Sequence, residues 1–165
     1  MFLCTFAFSS KRFMYSTLIF LHSLTRWLVV ISIGYAAFRG YKGYRSGSVF
    51  SRLDNNVRHW TATFAHLQLV LGIVLYTQSP LVKYYWQTPA GEHSFFDAVF
   101  YSVLHPLGML GAVVIITIGS ALSKRKSLDS KKYKTMLFWY AIALVIILIF
   151  IPWPFSPLSN RPFLR

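Results

Sequence analysis

The sequence predicts an all-α integral membrane protein, a four-helix bundle running up-down-up-down. Three observations carry this prediction. Apolar residues fall in four blocks, each long enough to cross a bilayer as a helix. Only 13% of the 165 residues are charged, against about a quarter in a soluble domain. The basic residues collect between the blocks, where short cytoplasmic loops carry them. One such bundle uses the whole length and leaves no room for a soluble domain. The net charge of +13 therefore points to anionic lipid headgroups and not to nucleic acid. The single cysteine, Cys4, excludes an internal disulfide and any cysteine-based zinc or iron–sulfur site.

Residues 1–13 differ in character from the rest of the chain. Lys11 and Arg12 interrupt them, and no signal-peptide order of basic, apolar and small residues appears. Met14 opens a clean apolar run. We read 1–13 as an N-terminal extension upstream of a start at Met14, with a continuation of the first helix as the alternative. Residues 14–165 then form the four-span transmembrane domain.

The first span is predicted at about 15–38. His22 and Arg26 lie one turn apart on one face. A cation that deep faces a bundle interior, a partner or a cofactor. Gly40 and Gly43, among basic residues, are expected to break the helix. The first loop, 39–58, holds five basic residues and one acid, Asp54.

The second span is predicted at about 57–77. His59 and His66 are seven residues apart, almost two turns, with Thr63, Val70 and Thr77 continuing their stripe. Such a stripe is expected to face other helices and not lipid. Ser79-Pro80 ends the span. Tyr84, Tyr85 and Trp86 form an aromatic anchor in the next connection, which also carries Glu92 and His93.

The third span is predicted at about 97–122. Pro106 removes a backbone donor next to His105 and disfavours a straight helix there. Gly108 and Gly111 come next, making either helix-packing positions or a recess for a flat cofactor. A second basic loop, 123–134, holds six Lys or Arg against Asp129. The fourth span, about 135–151, is almost wholly apolar and offers no ligand. The two basic loops hold eleven of the seventeen Lys and Arg residues. They are expected on the cytoplasmic side of a bacterial inner membrane, with both termini periplasmic.

Counting roughly 1.5 Å per residue from the outer ends of the spans, His22, His105 and His66 fall about 10, 12 and 16 Å deep. Three intramembrane histidines in one layer suggest a shared partner, because an unpaired polar side chain in hydrocarbon is costly. One haem b with two axial imidazoles fits this layer. Arg26 could meet a propionate, and Gly108 and Gly111 could admit the ring. The diagonal of a sequential bundle favours His22 with His105; adjacency and depth favour His66 with His105. Two alternatives stand beside haem. Each histidine could simply bond a neighbouring carbonyl or hydroxyl, or the three could hold copper or zinc.

Three segments carry a resemblance: Leu-His-Ser-Leu-Thr-Arg-Trp at 21–27, Arg-His-Trp-Thr-Ala-Thr-Phe-Ala-His-Leu-Gln at 58–68, and Ile-Pro-Trp-Pro-Phe-Ser-Pro-Leu-Ser-Asn-Arg-Pro at 151–162. They resemble a family of small bacterial four-helix membrane proteins usually labelled cytochrome b. The resemblance implies haem and electron transfer, with His22, His66 and His105 as candidate ligands. The chain lacks a c-type attachment motif and the helix-pair pattern of a respiratory-complex cytochrome b. Three functions stand as expectations. The first is an electron carrier working with quinone or a periplasmic redox partner. The others are a non-catalytic membrane subunit or assembly factor, and a copper- or zinc-handling protein. No nucleophile–base pair, phosphate loop or paired carboxylates support a stand-alone enzyme.

Overall fold

A computed structural model describes residues 2–89 and 96–155, with side chains from residue 13 onward. Among these residues all regular structure is helical. Helix α1 covers Phe2–Ser46, α2 Arg52–Gln78 and α3 Pro80–Gln87. The third span, Phe96–Arg125, is composite. It comprises α4 (Phe96–Val99), a π turn (Phe100–Leu104) and α5 (His105–Arg125). Helix α6 covers Asp129–Phe150. Four helices are long and apolar enough to cross a membrane. The chain is a multi-pass membrane protein with its four spans packed as a bundle. Contacts run α1–α2, α2–α5, α5–α6 and α6–α1, so α1 faces α5 across one diagonal.

The helices outrun the predicted spans. The expected loop at 39–58 shrinks to residues 47–51, because hydropathy marks where the bilayer ends and not where backbone hydrogen bonding ends. Gly40 and Gly43 do not break α1. A Cβ on Gly43 would lie 2.3 Å from the Tyr133 ring, and one on Gly40 3.0 Å from the Leu137 backbone nitrogen. Both glycines let α6 lie close against α1. Gly47, at φ +61°, terminates α1 in the left-handed conformation. The Ser48 N–H then donates to the Gly43 carbonyl at 3.3 Å. Ser51 caps α2 reciprocally with Asp54. The short helix α3 lies where the sequence suggested only an aromatic loop; Ser79 caps it and Pro80 starts it. Residues Glu92 and His93 lie outside the described residues.

The core is densest toward the basic end. Ile33, Ala36, Ile116, Met136, Tyr140 and Ala143 are fully buried. Buried residues on α2 run only from Asp54 to Ala65. On α1, no described side chain before Val29 is buried, and none on α5 before Ala112. Away from the basic loops the buried residues come instead from α3, α4, the π turn and the end of α6: Val82, Ala98, Phe100, Ser102, Ile147 and Ile151.

Candidate functional site

Two of the three predicted histidines meet. His22 on α1 and His105 at the start of α5 have ring centroids 6.4 Å apart, with planes at 69°. The α1–α5 diagonal brings them together in the half of the bundle away from the basic loops. Gly72 of α2 backs the pair: a Cβ there would lie 3.4 Å from His22 Cε1. A larger side chain would push α2 away from the imidazole. The Nδ1 atom of His22 is buried and has no hydrogen-bond partner.

His105 owes its position to Pro106. Proline cannot donate to the Ser102 carbonyl four residues back. The chain responds with a π turn, in which the His105 N–H donates to the Phe100 carbonyl. The stranded Ser102 carbonyl accepts instead from the Tyr76 hydroxyl of α2 at 3.1 Å. Trp86 Nε1 donates to the same hydroxyl oxygen at 2.9 Å. The His105 ring is then held by the Phe150 carbonyl, 2.8 Å from Nδ1. That bond protonates Nδ1 in the neutral ring and leaves Nε2 as the lone-pair nitrogen. The rings of Phe100 and Tyr101 flank His105 at 5.8 and 6.2 Å.

Arg26 sits one turn from His22 and lies in electrostatic range of His22, His105 and Tyr101. Its guanidinium also lies 5.6 Å from the Trp27 ring centre, which itself packs edge-on against Trp153. Below the pair, Gln68 of α2 donates to the His22 carbonyl at 2.9 Å and pairs with Thr25. Those contacts fix α1 against α2 at this level. The two predicted glycines divide. Gly108 admits the Phe150 ring, whose Cδ2 would lie 2.5 Å from a Cβ there, so this recess is filled by protein. Gly111 faces open space, with nothing within 4 Å of a Cβ.

His66 stands apart. It is exposed on the outside of α2. Its Nδ1 bonds the Ala62 carbonyl at 2.7 Å and its Nε2 meets Thr117 Oγ1 at 3.1 Å. The expected three-histidine layer does not form: among the described residues no three His, Cys, Asp or Glu side chains are grouped to hold a metal ion. The stripe of His59, His66, Val70 and Thr77 faces outward, contrary to expectation. Local bonds explain its tolerance there, since Thr63 donates to the His59 carbonyl and Thr77 to the Val74 carbonyl. The inward face of α2 is instead Asp54, Arg58, Thr61, Ala62 and Ala65.

A second polar cluster, at the basic end, escaped the sequence reading. The Asp54 carboxylate is fully buried. It accepts from Arg39 Nε at 2.8 Å, from the Ser51 N–H at 3.0 Å, and from the hydroxyls of Ser51 and Tyr133 at 2.6 Å each. Arg58 is also buried and donates to the Ser120 carbonyl at 3.0 Å and to Asn55 Oδ1 at 2.8 Å. The Ser51-x-x-Asp54 capping spacing was the available signal.

Does the His22–His105 pair suit two axial ligands? Two imidazoles sharing one ion at about 2.0 Å, each with its ring centre about 1.15 Å beyond the ligating nitrogen, have centroids about 6.3 Å apart when collinear. The observed separation is 6.4 Å. The Phe150 carbonyl supplies the outer partner that a ligating imidazole uses to fix its tautomer. The buried Nδ1 of His22 has no hydrogen-bond partner and lies on the Gly72 side of the ring, 3.9 Å from a Cβ placed there. His22 and His105 are the residues that would hold a haem iron between them; His66, bonded to Ala62 and facing Thr117, lies apart from them.

Fold and site together define a helical, multi-pass membrane protein with a histidine pair bridging one diagonal of its bundle. The chain matches no family model, no curated protein and no solved structure.

Proposed function

We propose that the protein is a b-type membrane cytochrome that binds one haem through His22 and His105 and carries electrons. The observation behind this reading is the imidazole pair, with ring centroids 6.4 Å apart on facing helices. A haem held there supplies a one-electron redox centre. The protein's part is to fix the ligands. Gly72 admits His22, the π turn aims His105, and the Phe150 carbonyl holds its tautomer. Arg26, in electrostatic range of both histidines, is the cation that a propionate would meet. The resemblance to cytochrome b-labelled proteins points the same way.

By the positive-inside rule, the Lys and Arg residues flanking 47–51 and 126–128 favour the cytoplasmic side of a bacterial inner membrane for this end of the bundle. The histidine pair then lies toward the periplasmic face, where electrons could pass between quinone and a periplasmic redox partner. Spectra of protein expressed with haem supplementation test this. We expect a Soret band that shifts on reduction in the wild type and in His66→Ala. The band is expected to vanish in His22→Ala and His105→Ala. A colourless wild-type protein refutes the proposal.

A second reading has its own support. His66 and His105 each bond a backbone carbonyl through Nδ1, and His66 Nε2 also lies 3.1 Å from Thr117 Oγ1. Histidines used this way suit a membrane subunit that only holds helices together or assembles with a larger complex. In that case His105→Ala weakens helix association and changes no spectrum. A copper or zinc ion on the His22–His105 pair would be revealed by elemental analysis of the purified protein.

A further inference from the structure

At the basic end a cavity of about 490 Å³ opens among three helix ends. Arg52, Asn55 and Asn56 line it from the first turn of α2, Lys124 from the last turn of α5, and Lys132 from the first turn of α6. Phe50 forms an apolar wall. Its size falls within the usual range of small-ligand sites, about 300–1,000 Å³.

The electrostatics are one-sided. No acid lines the cavity. Asp54, the nearest carboxylate in sequence, is fully buried and already accepts from Arg39, Ser51 and Tyr133. Asp129 bonds Lys132 at 2.8 Å and compensates that cation alone. Neither ion pair among the described residues involves Arg52 or Lys124. Beneath the floor, the buried Arg58 guanidinium is held by a carbonyl and by Asn55 rather than by a carboxylate. Because Asn55 Oδ1 is occupied by Arg58, its amide NH2 is the group left to face a ligand, and it can only donate. Two cations, Arg52 and Lys124, and the Asn55 amide therefore converge here with no carboxylate in the lining, beside the neutral side chains of Ser51 and Asn56. The positive end of the α2 dipole adds to the same field.

We propose that this cavity binds the phosphate oxyanion of an anionic phospholipid headgroup. A soluble phosphate ester shares that chemistry, but the setting favours a lipid. The cavity lies where the spans leave the bilayer, at headgroup level. Its lining comes from the ends of α2, α5 and α6, so a headgroup bound there keeps its acyl chains alongside the bundle. Basic pockets between transmembrane helices bind anionic headgroups by these means.

The experiment uses the full chain, purified in detergent and stripped of lipid. Phosphatidylglycerol or phosphatidylcholine is added back, and retained lipid is counted by native mass spectrometry. Phosphatidylglycerol is expected to be retained in preference. The double substitution Arg52→Gln/Lys124→Gln should lower its retention about tenfold or more. Lys42→Gln/Arg45→Gln removes the same charge from the outer side of α1 at the same end, and should change retention less than twofold. Lys124→Arg should keep it within twofold, which separates loss of the site from loss of the fold. Equal losses in the two double variants would overturn the proposal. Displacement of the lipid by an equal concentration of inorganic phosphate would overturn the lipid assignment.

Discussion

Replacing Asp54 by Asn tests the polar cluster at the basic end. Oδ1 accepts from Arg39, and Oδ2 accepts from Tyr133 and twice from Ser51. The best placement of an Asn amide puts its nitrogen at the Oδ1 position. It keeps the three bonds at Oδ2, now to a neutral acceptor, and turns two sets of donors toward each other at Arg39. Losing one charged hydrogen bond costs about 1.5–3 kcal/mol, and weakening three others about 0.5 kcal/mol or more each. Arg39 is 25% exposed and recovers part of its loss from water, so the net cost is about 3–4 kcal/mol. Reversible unfolding in mixed micelles with rising SDS, monitored by circular dichroism, measures it. Tyr133→Phe should cost about 1.5–2 kcal/mol by the same assay. The double variant should cost less than the sum by more than about 0.5 kcal/mol, because the two residues share a bond. An Asp54→Asn protein within about 0.5 kcal/mol of wild type, or strict additivity, refutes the reasoning.

The glycines give a paired test in the same unfolding assay. Gly43→Ala should destabilise by about 1–3 kcal/mol because its Cβ enters the Tyr133 ring, whereas Gly111→Ala should be neutral or stabilising by about 0.5 kcal/mol, its Cβ meeting nothing. Gly72→Leu should displace His22 and abolish the Soret band of the proposed cytochrome while the helical circular dichroism persists. Tyr76→Phe leaves the Ser102 carbonyl without its donor; we expect a loss of about 1–2 kcal/mol and faster amide exchange across residues 100–105, read by hydrogen–deuterium exchange.

The four spans were legible because a bilayer imposes a coarse rule: apolar runs cross it and basic connections flank it. Helix ends were less legible, since capping and close packing set them. Gly40 and Gly43 illustrate this: by type they read as breakers, and only the neighbouring Tyr133 and Leu137 show why α1 continues through them. Pro106 signalled a disturbance at His105 correctly, but the remedy, a hydroxyl from Tyr76 to the Ser102 carbonyl 26 residues later, is a tertiary fact. The His22–His105 pairing was one of two open choices, and bundle topology selects it. His66 misled because spacing shows that residues share a face, not which way the face points. Thr117, 51 residues away, supplies the partner that lets an imidazole sit on the outside.

The two ends of the bundle are held together in different ways. Toward the basic loops, α1, α2, α5 and α6 all contribute buried side chains, and Asp54 and Arg58 are tied off by groups from the other helices. Toward the other end the buried residues include Phe100 and Ser102 of the π turn and Ile147 and Ile151 at the end of α6, while single bonds from Gln68, Tyr76 and to the Phe150 carbonyl set the register of the helices there. A substitution at the first end therefore disturbs all four spans at once, whereas one at the second disturbs the seating of His105 and leaves the rest of the bundle in place.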